Sequence, residues 1–307
     1  MSEHHTPVML KESLDLLIVD RSGKYFDATL GFAGHTGEIL NRLNSDGVLI
    51  ASDVDQDAFE YCQNKFSNEL RLNLYNFNYS FIDVIAKIEQ IDFFDGILAD
   101  LGVSSFQLDE PSSGFTFRAN TALDLRMDKT KKITAADVIN TFTEEDLANI
   151  FYQYGEEKNS RKIAKSIVNN RIEKKIETTG DLVSIIEELV PEHYLRKTLS
   201  RVFQALRIYV NDELGNLKSF LINSVKVLKK GGRIVVITYH SLEDRIVKDF
   251  FKEESIVSLS PKEDPLGIIK KDAKLKIVTK KPITPSKKEV DINYRSRSAK
   301  LRAAERI

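Results

Sequence analysis

The chain has 307 residues, with 45 Lys and Arg against 46 Asp and Glu, and one cysteine, Cys62. That length allows one large or two ordinary domains, and a lone cysteine excludes an internal disulfide and argues against a thiolate zinc site. No apolar run is long enough to span a membrane, and residues 1–5 carry no apolar leader, so a reduced, cytoplasmic setting away from membranes is expected.

In chain order, residues 7–18 read as a lead-in and a short amphipathic helix. Tyr25-Phe26-Asp27 begins a short apolar run that ends in glycines at 31, 34 and 37. Ile39, Leu40 and Leu43 then share one face, so the stretch reads as strand, tight turn, helix. Residues 48–53 form a second strand that ends in acid, and residues 57–66 a helix. Residues 72–77 alternate like a third strand, residues 81–88 are helical, and residues 94–101 are a fourth, buried strand. Strands alternating with helices predict a parallel, doubly wound sheet.

The rhythm breaks after Ser105. Residues 106–128 read as loop, followed by helical patterns at 135–140, 144–154, 160–173 and 179–189, none leading into a strand. Pro191 and a basic loop around Arg196 and Lys197 precede a long helix over 201–228. Sheet rhythm resumes at 233–240. An α/β sheet domain, 1–106 and 206–307, is therefore expected to carry an inserted all-helical domain, 107–205. Ser241-Leu242-Glu243-Asp244 fits a helix N-cap with an acid three positions on, the helix running to about Phe251. Residues 274–279 alternate like a strand, and 299–307 read as a last, edge strand.

The glycine turn and the acid Asp53 at the next strand tip read as a nucleoside-cofactor site. Dinucleotide binding calls for Gly-x-Gly-x-x-Gly, but here the spacing is Gly31-x-x-Gly34-x-x-Gly37, with Phe32 in the second place. Asp27 stands just before the turn. It would repel a pyrophosphate and attract a sulfonium and an ammonium, which favours S-adenosylmethionine over NAD. An ordinary glycine-rich strand–helix turn is the plainer alternative.

Four further groups of residues stand out. Asp100-Leu101-Gly102-Val103-Ser104-Ser105 lies at the fourth strand's tip, beside the first strand's turn at the switch point. Phe106, Gln107, Phe115, Phe117, Arg118, Asp124, Arg126 and Met127 form a loop that suits stacking on an unpaired base, or else a hydrophobic hinge. Arg201, Gln204 and Arg207 share a helix face that lines a groove or is simply solvated. His240 ends the fifth strand, with a substrate contact and a capping role equally open. The remaining histidines show no metal-ligand spacing, so no metal is expected. Charge is also uneven: residues 270–307 hold 13 Lys and Arg against 4 Asp and Glu, +9, which leaves −10 on residues 1–269. A basic tail suggests a polyanion contact, and a solvated lysine surface is the plainer reading.

Together these residues make the chain resemble the bacterial 16S ribosomal RNA cytosine-N4 methyltransferase family. The matching blocks are residues 5–10, 27–37, 100–105, Leu123-Asp124-Leu125-Arg126-Met127-Asp128, Tyr154-Gly155-Glu156-Glu157-Lys158, 201–214, His240-Ser241-Leu242-Glu243-Asp244-Arg245, 281–283 and 297–302. The resemblance implies a Rossmann-like methyltransferase sheet with a helical substrate domain. It implies methyl transfer from S-adenosylmethionine to the exocyclic N4 of a decoding-region cytosine in 16S rRNA, within the assembled small ribosomal subunit. Carried over by position, the cofactor contacts are Gly34, His35, Thr36, Asp53, Tyr79, Asp100 and Gln107. Asp53 is preferred to Asp55 because it falls at the strand end. Asp100 is also the candidate catalytic residue, and Phe115, Arg118, Arg126, Arg207, His240 and Arg297 are the candidates on the substrate side. A competing reading is a non-catalytic RNA-binding or assembly factor on the same fold. A DNA amino-methyltransferase fits less well, since Leu101-Gly102 replaces the prolines of that class. The oligomeric state, a homodimer included, is left open.

Overall fold

Strand residues that alternate between two apolar cores set the architecture. The computed structural model describes residues 7–104, 107, 114–257 and 272–307. They form two compact units, Met1–Gly102 with Gly215–Ile307, and Val103–Leu214. His4, His5, Ser105 and Phe106 lie outside the described residues.

The first unit opens with α1 (Leu10–Leu17), β1 (Lys24–Asp27), α2 (Gly34–Arg42), β2 (Val48–Ser52), α3 (Gln56–Lys65) and β3 (Leu72–Tyr75). A 3-10 turn (Tyr79–Phe81) leads into α4 (Ile82–Ile88) and β4 (Phe94–Asp100). One sheet of seven strands results, in the order β3-β2-β1-β4-β5-β7-β6, where β5 is Leu228–Thr238, β6 Leu275–Ile277 and β7 Lys300–Arg306. The first four pairings along it are parallel, and β7 is antiparallel to both β5 and β6. Successive strand side chains point to opposite faces. Phe26, Ile97, Ala99, Ile234 and Val236 accordingly enter one core with Phe220 and Val247. Tyr25, Leu98, Val235 and Ile237 enter the other with Leu14, Leu17 and Ile39. Burial on both faces is what near-continuous apolar runs produce in a parallel sheet.

The C-terminal part differs from expectation in three ways. The last strand is not an edge: β7 lies between β5 and β6, and the short β6 forms the border. The cap of α11 (Ser241–Glu254) is His240, not Ser241: its side chain accepts from the Glu243 N–H, while Glu243 accepts from the His240 N–H. The tail also contains α12 (Lys287–Ile292) and a 3-10 turn (Tyr294–Ser298), too short and polar for periodicity to reveal.

The second unit is helical: α5 (Ala135–Thr141), α6 (Glu144–Gly155), α7 (Ser160–Glu173), α8 (Thr179–Glu187) and α9 (Glu192–Asn211) surround one apolar core. Arg196 and Lys197, expected in a loop, lie inside α9, because exposed cations do not interrupt a helix. The single long helix expected over 201–228 is instead two. Asp212 adopts φ 52°, ends α9 and lets the chain restart as α10 (Glu213–Val227). At Gly155 an added Cβ would stand 2.6 Å from the Arg201 carbonyl oxygen, so the glycine permits the close approach of α6 and α9.

Candidate active site at the sheet switch point

The strand order reverses between β1 and β4, and ligands of open α/β sheets bind at such a point, beyond the strands' carboxyl ends. Three carboxyls gather there, one at the tip of each of three neighbouring strands. Asp27 ends β1 and is fully buried; it accepts from the Thr29 N–H at 3.2 Å and from the Thr36 hydroxyl at 2.7 Å. Asp53 follows β2, with Oδ2 accepting from the Gly31 N–H at 2.8 Å and Oδ1 from the Asp55 N–H at 3.0 Å. Asp100 ends β4 and is partly buried. Its N–H donates to Thr29 Oγ1 at 2.8 Å, and its Oδ1 accepts from the Tyr239 hydroxyl at 2.8 Å.

These surroundings disfavour charge. Burial pushes Asp27 up to about 7, against the lowering pull of its hydrogen bonds from Thr36 and Thr29, and the Asp53 charge adds to the rise. Burial likewise raises Asp53 to about 6, with the backbone N–H groups of Asp55 and Gly31 opposing. Burial raises Asp100 to about 7; the Tyr239 hydroxyl opposes, and the Asp27 and Glu243 charges reinforce. Among the described residues no Lys or Arg is ion-paired with any of the three. His35 Nδ1 lies 3.7 Å from Asp100 Oδ2.

Between these acids runs the glycine turn. Gly31 has φ 46° and Ala33 φ 64°, both in the left-handed region. A non-glycine residue held there stores strain, which often accompanies a functional turn. Gly34 begins α2, and a Cβ on it would stand 2.5 Å from Pro7 Cγ. Among the described residues no side chain caps α2, and the positive end of the helix, at Gly34, His35 and Thr36, lies at the turn.

The other candidates are placed as follows. Asp55 is the N-cap of α3, accepting from the Asp57 and Ala58 N–H groups. Tyr79 opens the 3-10 turn after β3 and meets the Phe220 ring edge-on at 5.2 Å. Gln107 belongs to the second unit and exchanges hydrogen bonds with Ser104: Gln107 Oε1 accepts from the Ser104 N–H, and the Gln107 N–H donates to Ser104 Oγ. Phe115 is buried in the helical core, where Phe117 packs on Phe203 at 5.4 Å. Arg126 forks onto Asp124 and onto the carbonyls of Lys129 and Lys131, stapling its own loop. Arg207 pairs with Glu213 through two hydrogen bonds, Gln204 donates to the Tyr154 carbonyl, and Arg201 lies 3.4 Å from Glu157. The α9 face read as groove-lining or solvated thus makes contacts within its own unit. Arg118 is exposed. Arg297 is also exposed, with its guanidinium over the Tyr294 ring at 4.5 Å. Arg302, part of the basic tail, is buried, with Nε 2.6 Å from Asp244 Oδ1.

Sequence reading passed over Tyr239 and Thr29. Thr29 lies within the 27–37 block and Tyr239 in no motif; both matter through β1, β4 and β5 lying side by side, which the sheet order reveals.

The fold is a doubly wound, Rossmann-like α/β sheet with three carboxyls gathered at its switch point. The chain matches the MraW methylase family over residues 2–307 and belongs to that family. It is 47% identical over 304 residues to a protein of Caldicellulosiruptor saccharolyticus named Ribosomal RNA small subunit methyltransferase H, covering 99% of each chain. Proteins of the same name from Caldicellulosiruptor bescii and Fusobacterium nucleatum subsp. nucleatum are 46% and 44% identical; the matches cover 99% and 100% of this chain and 99% and 98% of theirs.

Proposed function

We propose that the protein transfers a methyl group from S-adenosylmethionine to the exocyclic N4 of a cytosine in 16S rRNA, within the small ribosomal subunit in the cytoplasm. The observation that carries this reading is the trio Asp27, Asp53 and Asp100. Desolvated carboxyls that have no Lys or Arg ion-paired to them among the described residues suit a ligand that brings its own positive charge, and a pyrophosphate does not fit beside them. When bound, the cofactor supplies a methyl group activated by a sulfonium.

The chain's own residues divide the remaining work. Gly34, His35 and Thr36, at the positive end of α2, contact the cofactor's carboxylate end. Asp53 accepts from ribose hydroxyls. Tyr79, its ring set by Phe220, is carried over as a cofactor contact by the family resemblance. Asp100 takes one of two roles: it holds the methionine ammonium, or it accepts a proton from the cytosine amine. A cytosine N4 is a weak nucleophile, since its lone pair is delocalised into the ring. Positive charge grows on it during attack, and an acceptor aimed at its hydrogens stabilises that charge. A carboxyl titrating near 7 is well matched to proton transfer at neutral pH. On the RNA side, the exposed Arg118 and Arg297 remain the candidates for phosphate or base contacts, whereas Arg126 and Arg207 shape the protein.

The two roles of Asp100 separate in Asp100→Asn. As proton acceptor, its loss should lower kcat by about 10²–10⁴-fold with cofactor Kd nearly unchanged. As cofactor anchor, its loss should mainly raise the Kd measured by calorimetry. An Asn variant with normal turnover and normal affinity would remove Asp100 from the site.

A further inference from the structure

Asp100 is gripped from the neighbouring strand by a residue with no assigned task. The Tyr239 hydroxyl, just beyond β5, donates to Asp100 Oδ1 at 2.8 Å. Tyr239 is itself fixed: its N–H donates to Glu243 Oε2 at 2.9 Å, and its ring packs on the core beside α1 and α2. Gly102, two residues after Asp100, adopts φ 96°, and a Cβ there would be in ordinary contact with Tyr239 Cδ2 at 3.7 Å. The Asp100 backbone is held separately, by Thr29. Asp100 Oδ2 accepts no hydrogen bond from the described residues and faces His35 at 3.7 Å.

We infer that Tyr239 is a positioning residue for methyl transfer: its hydroxyl occupies Oδ1, holds the Asp100 carboxyl in one rotamer and leaves Oδ2 to meet the ligand. This rests on the reading of Asp100 given above. The hydroxyl also sets when Asp100 is ionised. The groups facing Asp100 are Asp27 from β1, His35 from α2, Glu243 from α11 and Tyr239 itself. Burial and the two like charges favour the neutral acid, and the tyrosine is the donor that favours the carboxylate. Tyr239 is in turn influenced by Glu243 and by Glu289 of α12. Burial and the Asp100 charge hold its own pKa well above 10, so it stays a donor throughout the working range.

Tyr239→Phe keeps the ring and removes the donor. A hydrogen bond to a charged group of ordinary strength corresponds to a shift of about one pH unit or more. In the full chain, the Asp100 carboxyl followed by 13C NMR, assigned with Asp100→Asn, should titrate that much higher than in the parent. The acid limb of kcat or of S-adenosylmethionine affinity, whichever Asp100 governs, should move by the same amount. The variant should be several-fold impaired near pH 7 and approach the parent above about pH 9. The inference is overturned by an unmoved titration, by pH profiles that stay in place while the titration moves, or by a loss equal at all pH values with a lowered Tm. Asp100→Asn in the same assays separates the two claims. If that variant is normal, the reading of Asp100 fails; if it is crippled while Tyr239→Phe keeps the parent profile, only the inference about Tyr239 fails.

Discussion

Asp53 and Asp55 stand two residues apart and do different work. Asp53 holds the glycine turn through the Gly31 N–H and keeps its carboxyl at the strand tip. Asp55 spends its carboxyl on the first turn of α3. Asp53→Ala should weaken S-adenosylmethionine about ten- to a hundredfold, as expected for losing one or two charge-assisted hydrogen bonds. Asp55→Ala should cost about 1 kcal/mol of stability, the usual value of a cap, with affinity unchanged. Calorimetry and urea denaturation on both variants check this, and the opposite pattern would exchange the two assignments. At this scale the sequence was legible for position wherever a residue stands in a motif, as for Asp27 and Asp100, which end β1 and β4. It was not legible for the arginines. Arg126, Arg207 and Arg297 look alike in sequence; what separates them is an acid within reach, Asp124 or Glu213, or an aromatic face, Tyr294.

Helices and strands with a strong apolar period were readable almost to the residue, α7 among them. Some failures were local, such as the helix break at Asp212; the largest was non-local. That β7 inserts between β5 and β6 depends on pairing across the sheet, and the alternation in its sequence says only that it is a strand. The consequence is that the basic tail is divided. Arg302 on β7 is buried against Asp244 of α11, with Lys300 Nζ at 3.1 Å. Burial works to raise the Asp244 pKa, and the two cations outweigh it, leaving the group below its usual value. Arg302→Ala leaves the Asp244 carboxylate with Lys300 alone and should destabilise the protein by up to about 3 kcal/mol. Arg297→Ala should leave the denaturation midpoint in place and reduce the salt dependence of RNA binding by up to about one phosphate contact. Equal effects on stability from both would contradict this division of the tail.

The whole molecule carries the cost of its acidic site when no ligand is bound. Asp27, Asp53 and Asp100 have folded pKa values of about 7, 6 and 7, raised from 3.8. Between pH 4 and 7 the folded state therefore holds protons that the unfolded state has released. Stability contributed by these neutral acids is fully present below about pH 4 and is lost as pH rises through 6 to 7. On this account the ligand-free Tm should fall as pH rises from about 5.5 to 8, and saturating S-adenosylmethionine should flatten that fall by supplying positive charge. A ligand-free Tm that rises steadily over this window would show that the carboxyls are ionised at little cost. The division of the chain into two units was legible as an interruption of the strand–helix rhythm, because an inserted all-helical segment has no strand to continue the sheet. The seams at Gly102 and Leu214 were not, since no glycine–proline linker marks them.

The central claim is that this site methylates a cytosine amine of small-subunit rRNA. The direct measurement incubates the protein with labelled S-adenosylmethionine and small ribosomal subunits lacking the modification, then maps the labelled nucleotide by mass spectrometry. The account predicts label in 16S rRNA as N4-methylcytidine at one position, abolished or strongly reduced by Asp100→Asn. Cofactor binding with no label in the RNA, or label on another base or another cytosine atom, would contradict it.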